Sequence, residues 1–287
     1  MEIRKVSVLG VGTIGYQIAQ QAAMCGYVTT LRDIDPKLMR SGLKRIRDGM
    51  ETHYVKKGKM SRPEVEEILG RLSGTTDLEE AVRDADFVVE SIPPDIDLKK
   101  QVFKELDEAC PPHTILASNT SNMSITEIGS LTRRQDKVIG THFFNPVQVM
   151  RLIEVVRGAH TSDETVEATL AFAQRLKKET VVINDYPGFI CSRITNVMLN
   201  EAIKIVHEGI ATPEQVDKAI RLGLNHPVGP FQIADINLEV PLHGLEYLQR
   251  ELGENYRPCP LLRKMVNAGL LGKKTGRGFH IYSGKEE

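Results

Sequence analysis

His142 is the histidine best placed for chemistry, the one of the chain's eight that follows an apolar strand-like run into a polar segment, Asn145-Pro146 after Phe143-Phe144. Further on, Glu154 sits inside the apolar run Leu152-Ile153-Glu154-Val155-Val156. A carboxylate in such a run is costly to bury unless it is paired. His142 as the partner resolves that cost, because a carboxylate orients an imidazole and holds the charge the ring gains on taking a proton. Such a pair suits alcohol oxidation, in which the histidine removes the hydroxyl proton while the carbon gives up a hydride to a nicotinamide. A satisfied structural histidine explains the same two positions equally well.

The hydride acceptor has its own signal. A strand-like segment, Lys5-Val6-Ser7-Val8-Leu9, runs directly into Gly10-Val11-Gly12-Thr13-Ile14-Gly15, and a helical segment follows. Gly10 permits the tight turn, Gly12 lets a pyrophosphate approach the backbone, and Gly15 allows close helix packing. The helix N-terminus then offers amide groups and partial positive charge to the phosphates. Asp33, after the second strand-like run, is the expected partner of the adenosine ribose hydroxyls; its charge repels a 2′-phosphate and favours NAD over NADP. Asp35, just before Pro36, competes for that place, and Arg32 and Lys37 nearby weaken the preference.

These residues need a scaffold of buried parallel strands. Short apolar runs at 6–9, 28–31, 87–89, 114–117, 138–140, 152–156 and 180–183 alternate with helical segments, which argues for a doubly wound, Rossmann-type α/β sheet. Helix starts are expected where a hydroxyl precedes a carboxylate or amide by three residues: Ser61 to Glu64, Ser124 to Glu127, Thr161 to Glu164 and Thr212 to Gln215. The stretch at about 36–72 reads as an inserted helical hairpin with a basic middle, Lys56-Lys57-Gly58-Lys59. At Tyr186-Pro187-Gly188 the pattern changes, and Pro187-Gly188 is a candidate hinge. Downstream, Ile190, Ile194, Val197, Met198, Ala202, Ile205 and Val206 recur at helical spacing. The expected organisation is a dinucleotide-binding domain over 1–186 and an all-helical domain over 187–287.

Composition narrows the partners. The chain of 287 residues is 41% hydrophobic and 26% charged, with a formal net charge of −1. No field of one sign is available for nucleic acid or a membrane surface. Cys25, Cys110, Cys191 and Cys259 are scattered without a C-x-x-C pair, so neither a metal site nor a disulfide framework is expected. With no signal-like or membrane-spanning run, the expected location is the cytoplasm.

Taken in order, the glycine loop with Asp33, Ser118-Asn119-Thr120-Ser121, His142-Phe143-Phe144-Asn145-Pro146, Glu154, Pro187-Gly188-Phe189-Ile190, His226-Pro227-Val228-Gly229-Pro230-Phe231 and Gly272-Lys273-Lys274-Thr275-Gly276-Arg277-Gly278-Phe279 resemble the 3-hydroxyacyl-CoA dehydrogenases from end to end. The length is similar to the compact bacterial 3-hydroxybutyryl-CoA dehydrogenases. The resemblance implies NAD-dependent interconversion of (S)-3-hydroxyacyl-CoA and 3-oxoacyl-CoA, with His142 as general base or acid and Glu154 orienting it. It implies that Ser121 bonds the substrate 3-oxygen and that Asn145 lines the nicotinamide end. Gly10, Gly12, Thr13, Ile14, Gly15, Asp33, Glu90 and Asn119 are expected around the cofactor. Lys56 and Lys59, with Lys57, resemble the region that meets the CoA nucleotide, although a solvated helix face explains lysines there as well. A homodimer through the C-terminal domain is also implied.

Three positions depart from the family pattern. Ser192 stands where an asparagine contacts substrate, Pro94 where a glutamate lies near the nicotinamide ribose, and Asn237 where a glycine is usual. Asn237 is tolerable there if the position needs a left-handed backbone. These departures bear on substrate identity more than on reaction class. Oxidation of a free hydroxy acid, as in the gulonate and carnitine dehydrogenases, and a non-catalytic NAD-binding protein are the competing readings.

Overall fold

The β-branched and leucine-rich run at the N-terminus forms β1 (Lys5–Leu9), which leads through the glycine turn into α1 (Gly15–Met24) and β2 (Val28–Arg32). The chain, described over residues 2–282 in a computed structural model, divides into two compact units, Met1–Tyr186 and Pro187–Glu287. In the first unit β1 and β2 pair in parallel from Lys5↔Val28 to Leu9↔Arg32. The helix between them buries Ile18, Ala19, Ala22 and Ala23, small side chains that let it lie close on the sheet.

Asp35 caps α2 (Pro36–Met50) by accepting from the Lys37 amide, with Pro36 in the first turn. The helix passes into one π-helical turn, Glu51–Val55, and the chain turns at Gly58 with φ +64. A full capping box between Ser61 and Glu64 then starts α3 (Arg62–Leu69). The hairpin closes there, because Leu72–Thr75 forms β3 beside β2. That strand was not expected. Its sequence, LSGT, is short and half-exposed at the sheet edge, so it carries no apolar run.

The remaining elements of this unit are α4 (Leu78–Val82), β4 (Phe87–Glu90), α5 (Ile96–Ala109), β5 (Ile115–Ser118), α6 (Ile125–Ile128), β6 (Val138–Phe143), β7 (Leu152–Arg157), α7 (Asp163–Arg175) and β8 (Glu179–Asn184). The eight strands lie in the order β3-β2-β1-β4-β5-β6-β7-β8. Pairing is parallel except between β6 and β7, which are antiparallel; residues 144–151 between them are too few for a crossover helix. Thr161 does not cap α7 as expected. Ser162 does, accepting from the Thr165 amide, while the Thr161 hydroxyl is buried and donates to Val138 O at 2.6 Å.

The second unit is helical: α8 (Cys191–His207), α9 (Pro213–Gly223), α10 (Pro230–Ala234), α11 (Glu239–Leu252) and α12 (Pro260–Asn267). Leu199, Ile203, Phe231, Leu238, Leu245 and Leu262 form its core. The helical spacing after Tyr186 is correct, and the marked residues divide between core and surface: Ala202 is buried and Met198, Ile205 and Val206 pack against the core. Asn196, Leu199, Asn200, Ala202 and Ile203 turn inward, whereas Ile194 is 65% and Val197 44% exposed.

Two glycines of the C-terminal motif, Gly272 and Gly278, are explained by one residue, Asp235. Asp235 is fully buried and accepts from the amides of Phe279 at 2.8 Å and His280 at 2.7 Å and from the Tyr282 hydroxyl at 3.0 Å. A Cβ on Gly272 would lie 2.1 Å from Asp235 O, and one on Gly278 2.1 Å from its Oδ1. Burial and this carboxylate push the Tyr282 phenol above its ordinary pKa. Gly229 has the same kind of role, since a Cβ there would meet Asp217, whose Oδ1 accepts from the Phe231 amide at 2.8 Å. No helix among the described residues is long and apolar enough to cross a membrane.

Candidate active site

The sheet order reverses direction between β1 and β4, and the carboxyl ends of the strands at that point form the crevice where α/β folds bind ligands. Leu9 is in register with Glu90, Glu90 with Ser118, and Ser118 with Gly140, so the residues that follow emerge along one edge.

Gly10 takes φ +89, and a Cβ on it would lie 2.4 Å from Ser91 O. A Cβ on Gly15 would collide with Gly10 O at 1.9 Å, so this glycine closes the loop on itself as much as on the sheet. Gly12 is different: a Cβ there would meet nothing within 4 Å. It faces open space at the N-terminus of α1, the place a pyrophosphate must reach. Thr13 and Ile14 complete this turn, and Ile14 is the N-cap residue of α1. Asp33 is half-buried beside it, accepting from the Val11 amide at 2.9 Å through Oδ2 and from the Asp35 amide at 3.2 Å through Oδ1. A carboxylate has about four lone-pair sites, so capacity remains for ribose hydroxyls. Asp35 spends its Oδ1 on the Lys37 amide as a helix cap. The residues present therefore fit a dinucleotide, with Asp33 rather than Asp35 beside the loop.

Glu90 is placed under this loop rather than on it. It is fully buried, with Oε1 taking Ile92 N at 2.7 Å and Lys99 Nζ at 2.5 Å, and Oε2 taking Ser118 Oγ at 2.6 Å. These bonds fix the shape of the strand ends beside the glycine turn. Asn119 bridges those ends, donating from Nδ2 to Ser91 Oγ at 3.2 Å and accepting the Phe143 amide on Oδ1 at 2.9 Å.

His142 and Glu154 are directly opposite one another in the antiparallel register of β6 and β7. Cross-strand neighbours of this kind share a face of the sheet, and His142 Nδ1 lies 2.6 Å from Glu154 Oε2. Both are buried, at 7% and 1% exposure. The Phe144 ring lies against the imidazole with centroids 4.3 Å apart. Ser121 is exposed in the turn after β5, and its hydroxyl donates to Asn122 Oδ1. Asn145 is exposed after β6, its Oδ1 accepting from Gln17 Nε2 at 2.9 Å.

Lys56, Lys57 and Lys59 are exposed at the tip of the hairpin. Ser192 is half-buried in the first turn of α8, in the second unit. Pro94 is exposed, and the adjoining Asp95 is spent on capping α5 through the Leu98 amide at 3.0 Å. Asn237 does not adopt a left-handed backbone, since the non-glycine residues with positive φ are Lys177, Phe189 and Asn225. Its Oδ1 instead accepts from the Glu239 amide at 3.2 Å at the start of α11.

Three residues not singled out by the sequence shape this region. Lys99 neutralises Glu90. Arg45 reaches from α2 to Val11 O at 2.6 Å, its guanidinium 4.2 Å over the Tyr16 ring. Gln17 is a buried amide on α1 facing the β6–β7 connection. The one signal for Gln17 is its place beside Ile18 on a helix face that must be apolar.

A doubly wound sheet with a glycine turn at its switch point and a carboxylate-backed histidine at the end of β6 fits a dinucleotide-dependent oxidoreductase. Residues 5–186 match the family model of the 3-hydroxyacyl-CoA dehydrogenase NAD binding domain, and residues 188–282 that of the 3-hydroxyacyl-CoA dehydrogenase C-terminal domain. A probable 3-hydroxybutyryl-CoA dehydrogenase of Bacillus subtilis is 48% identical over 287 residues, 99% of each chain. A 3-hydroxybutyryl-CoA dehydrogenase of Clostridioides difficile is 43% identical over 97% of this chain and 99% of that one. The crystal structure of (S)-3-hydroxybutyryl-CoA dehydrogenase from Ralstonia eutropha superposes with a TM-score of 0.94 at 39% identity, covering 99% of this chain and 100% of that one. The chain belongs to the 3-hydroxyacyl-CoA dehydrogenase family. It is an oxidoreductase, and its cofactor is NAD.

Proposed function

We propose that this enzyme interconverts a short-chain (S)-3-hydroxyacyl-CoA, such as 3-hydroxybutyryl-CoA, and the 3-oxoacyl-CoA. The observation that carries the chemistry is the buried His142–Glu154 contact at 2.6 Å. With Glu154 accepting at Nδ1, the tautomer leaves Nε2 unprotonated and ready to accept a proton. In oxidation Nε2 takes the hydroxyl proton, and the imidazolium so formed is held by the Glu154 carboxylate. In reduction the same nitrogen returns the proton to the ketone oxygen. Bound beside the glycine turn and Asp33, NAD would supply the hydride acceptor for the carbinol carbon. Ser121 bonds the substrate 3-oxygen, Asn145 faces the nicotinamide end, and Ser192 contacts substrate with one hydroxyl. Lys56 and Lys59 meet the CoA nucleotide, a reading supported by their exposure at the hairpin tip.

The protein acts as a homodimer through its second unit. Ile194 and Val197 on α8, with Leu222 at 73% and Leu224 at 68% exposure, present apolar side chains to solvent in the single chain and are the candidates for the dimer contact. A reducing cytoplasm suits Cys110, whose thiol burial pushes up to about 12.

The test is NADH formation with (S)-3-hydroxyacyl-CoA thioesters of increasing length, run beside free 3-hydroxybutyrate. Turnover of the short thioesters with little on the free acid is expected. Turnover of the free acid without CoA would replace this reading by that of a hydroxy-acid dehydrogenase.

A further inference from the structure

Gln17 is 6% exposed, and every polar atom of its side chain is spent on one of two loops. Nε2 donates to Thr13 O of the glycine turn at 2.6 Å and to Asn145 Oδ1 at 2.9 Å. Oε1 accepts from the buried Val147 amide at 2.9 Å. The main chain adds a further tie, Gln148 Nε2 donating to Gln17 O at 2.9 Å. From the other side, Lys178 Nζ donates to Val147 O and, at 2.7 Å, to Met150 O. Burial keeps its ammonium below the usual lysine range. The connection that follows His142 is therefore held from both flanks, and the Gln17 amide ties it to the cofactor turn.

That amide also decides what Asn145 can offer. An asparagine presents either an acceptor oxygen or an NH2 donor, depending on which way its amide is turned. With Oδ1 committed to Gln17, the exposed Asn145 offers Nδ2. We propose that Gln17 is a positioning residue: it locks Asn145 as a hydrogen-bond donor toward an acceptor oxygen at the nicotinamide end of the site and couples that donor to the glycine turn. The assignment rests on the placement of Asn145 given under Proposed function. With its side-chain polar atoms committed to Thr13, Asn145 and Val147, Gln17 acts through Asn145.

The variant that isolates this role is Gln17→Glu. Its carboxylate keeps an oxygen for the Val147 amide and loses both N–H donors, so Asn145 turns Nδ2 inward to meet it and withdraws the donor. NADH dissociation constants from cofactor fluorescence, together with kcat and KM for the thioester, are measured for the parent, Gln17→Glu, Asn145→Ala and the double variant. The expected result is a loss of about three- to tenfold in NADH affinity or kcat for each single variant, the worth of one or two hydrogen bonds, with the thioester KM little changed. In the Asn145→Ala background the Gln17→Glu effect disappears, as it must for residues acting as one unit. Additive losses would overturn the proposal. So would either single variant staying within about twofold of the parent in both quantities; Asn145 is exposed, so its variant answers even if Gln17→Glu folds poorly. Should the parent fail to turn over any thioester, the proposed reaction falls, and the cycle in NADH affinity alone still decides the role of Gln17.

Discussion

At the scale of single residues, the proposed chemistry rests on a carboxylate buried in an apolar strand. The Glu154 contact is legible in the sequence because burial without a partner is prohibitive, and the antiparallel register supplies His142 directly opposite. Glu154→Gln keeps a hydrogen-bonding side chain but loses the charge that holds the imidazolium, so kcat should fall by about 10²-fold with NADH affinity unchanged. Lys56 and Lys59 call for a different signature. Lys56→Ala and Lys59→Ala should raise the KM for the CoA thioester with kcat unchanged, and the effect should shrink as salt screens the exposed charges. An unchanged KM at low salt would return these lysines to the solvated-face reading. Glu90 and Gln17 are less legible. Their partners, Lys99 and the 145–148 backbone, come from other elements, and no spacing within one element announces them.

At the scale of elements, the site is only as well placed as β6, and β6 is anchored at its start. Asp107, on α5 and 5% exposed, accepts from Arg133 N at 3.0 Å, Arg133 Nε at 3.1 Å and Arg134 Nε at 2.7 Å just before the strand. Burial alone raises the Asp107 pKa, but the hydrogen bonds from Arg133 and Arg134 outweigh it and hold the carboxyl below its ordinary value. The unfolded carboxyl titrates near about pH 4, so this stabilisation is complete above that pH and is lost as pH falls through the lower folded value. Asp107→Asn should therefore melt lower than the parent at neutral pH, and the gap should narrow below about pH 4. A gap independent of pH would remove the charge from this explanation. Most strands are legible because doubly buried strands read as apolar runs. The edge strand β3 is not, since its exposure relieves it of that pattern. Periodicity on α8 reveals a helix but not which of its apolar residues face the core, since Ala202 is buried while Ile194 is exposed.

At the scale of the molecule, two units carry separate cores, and their stabilities can be probed separately. Asp235→Ala strips the buried carboxylate from the amides of Phe279 and His280 and the Tyr282 hydroxyl. It should destabilise the second unit by about 3–5 kcal/mol, read as an early transition in calorimetry while the NADH-binding transition stays in place. The proposed dimer contact is assigned to the same unit: Ile194→Lys should shift the sedimenting species from dimer toward monomer, and an unchanged dimer would move the interface elsewhere. The central claim is that His142, backed by Glu154, moves the proton in an NAD-linked oxidation of a 3-hydroxyacyl-CoA. It is tested most directly by NADH formation from (S)-3-hydroxybutyryl-CoA with the parent and His142→Ala, each with its NADH affinity measured. The predicted result is turnover by the parent and a loss of about 10²–10⁴-fold in the variant with NADH affinity preserved. Full turnover by His142→Ala, or none by the parent on thioesters of any length, would contradict it.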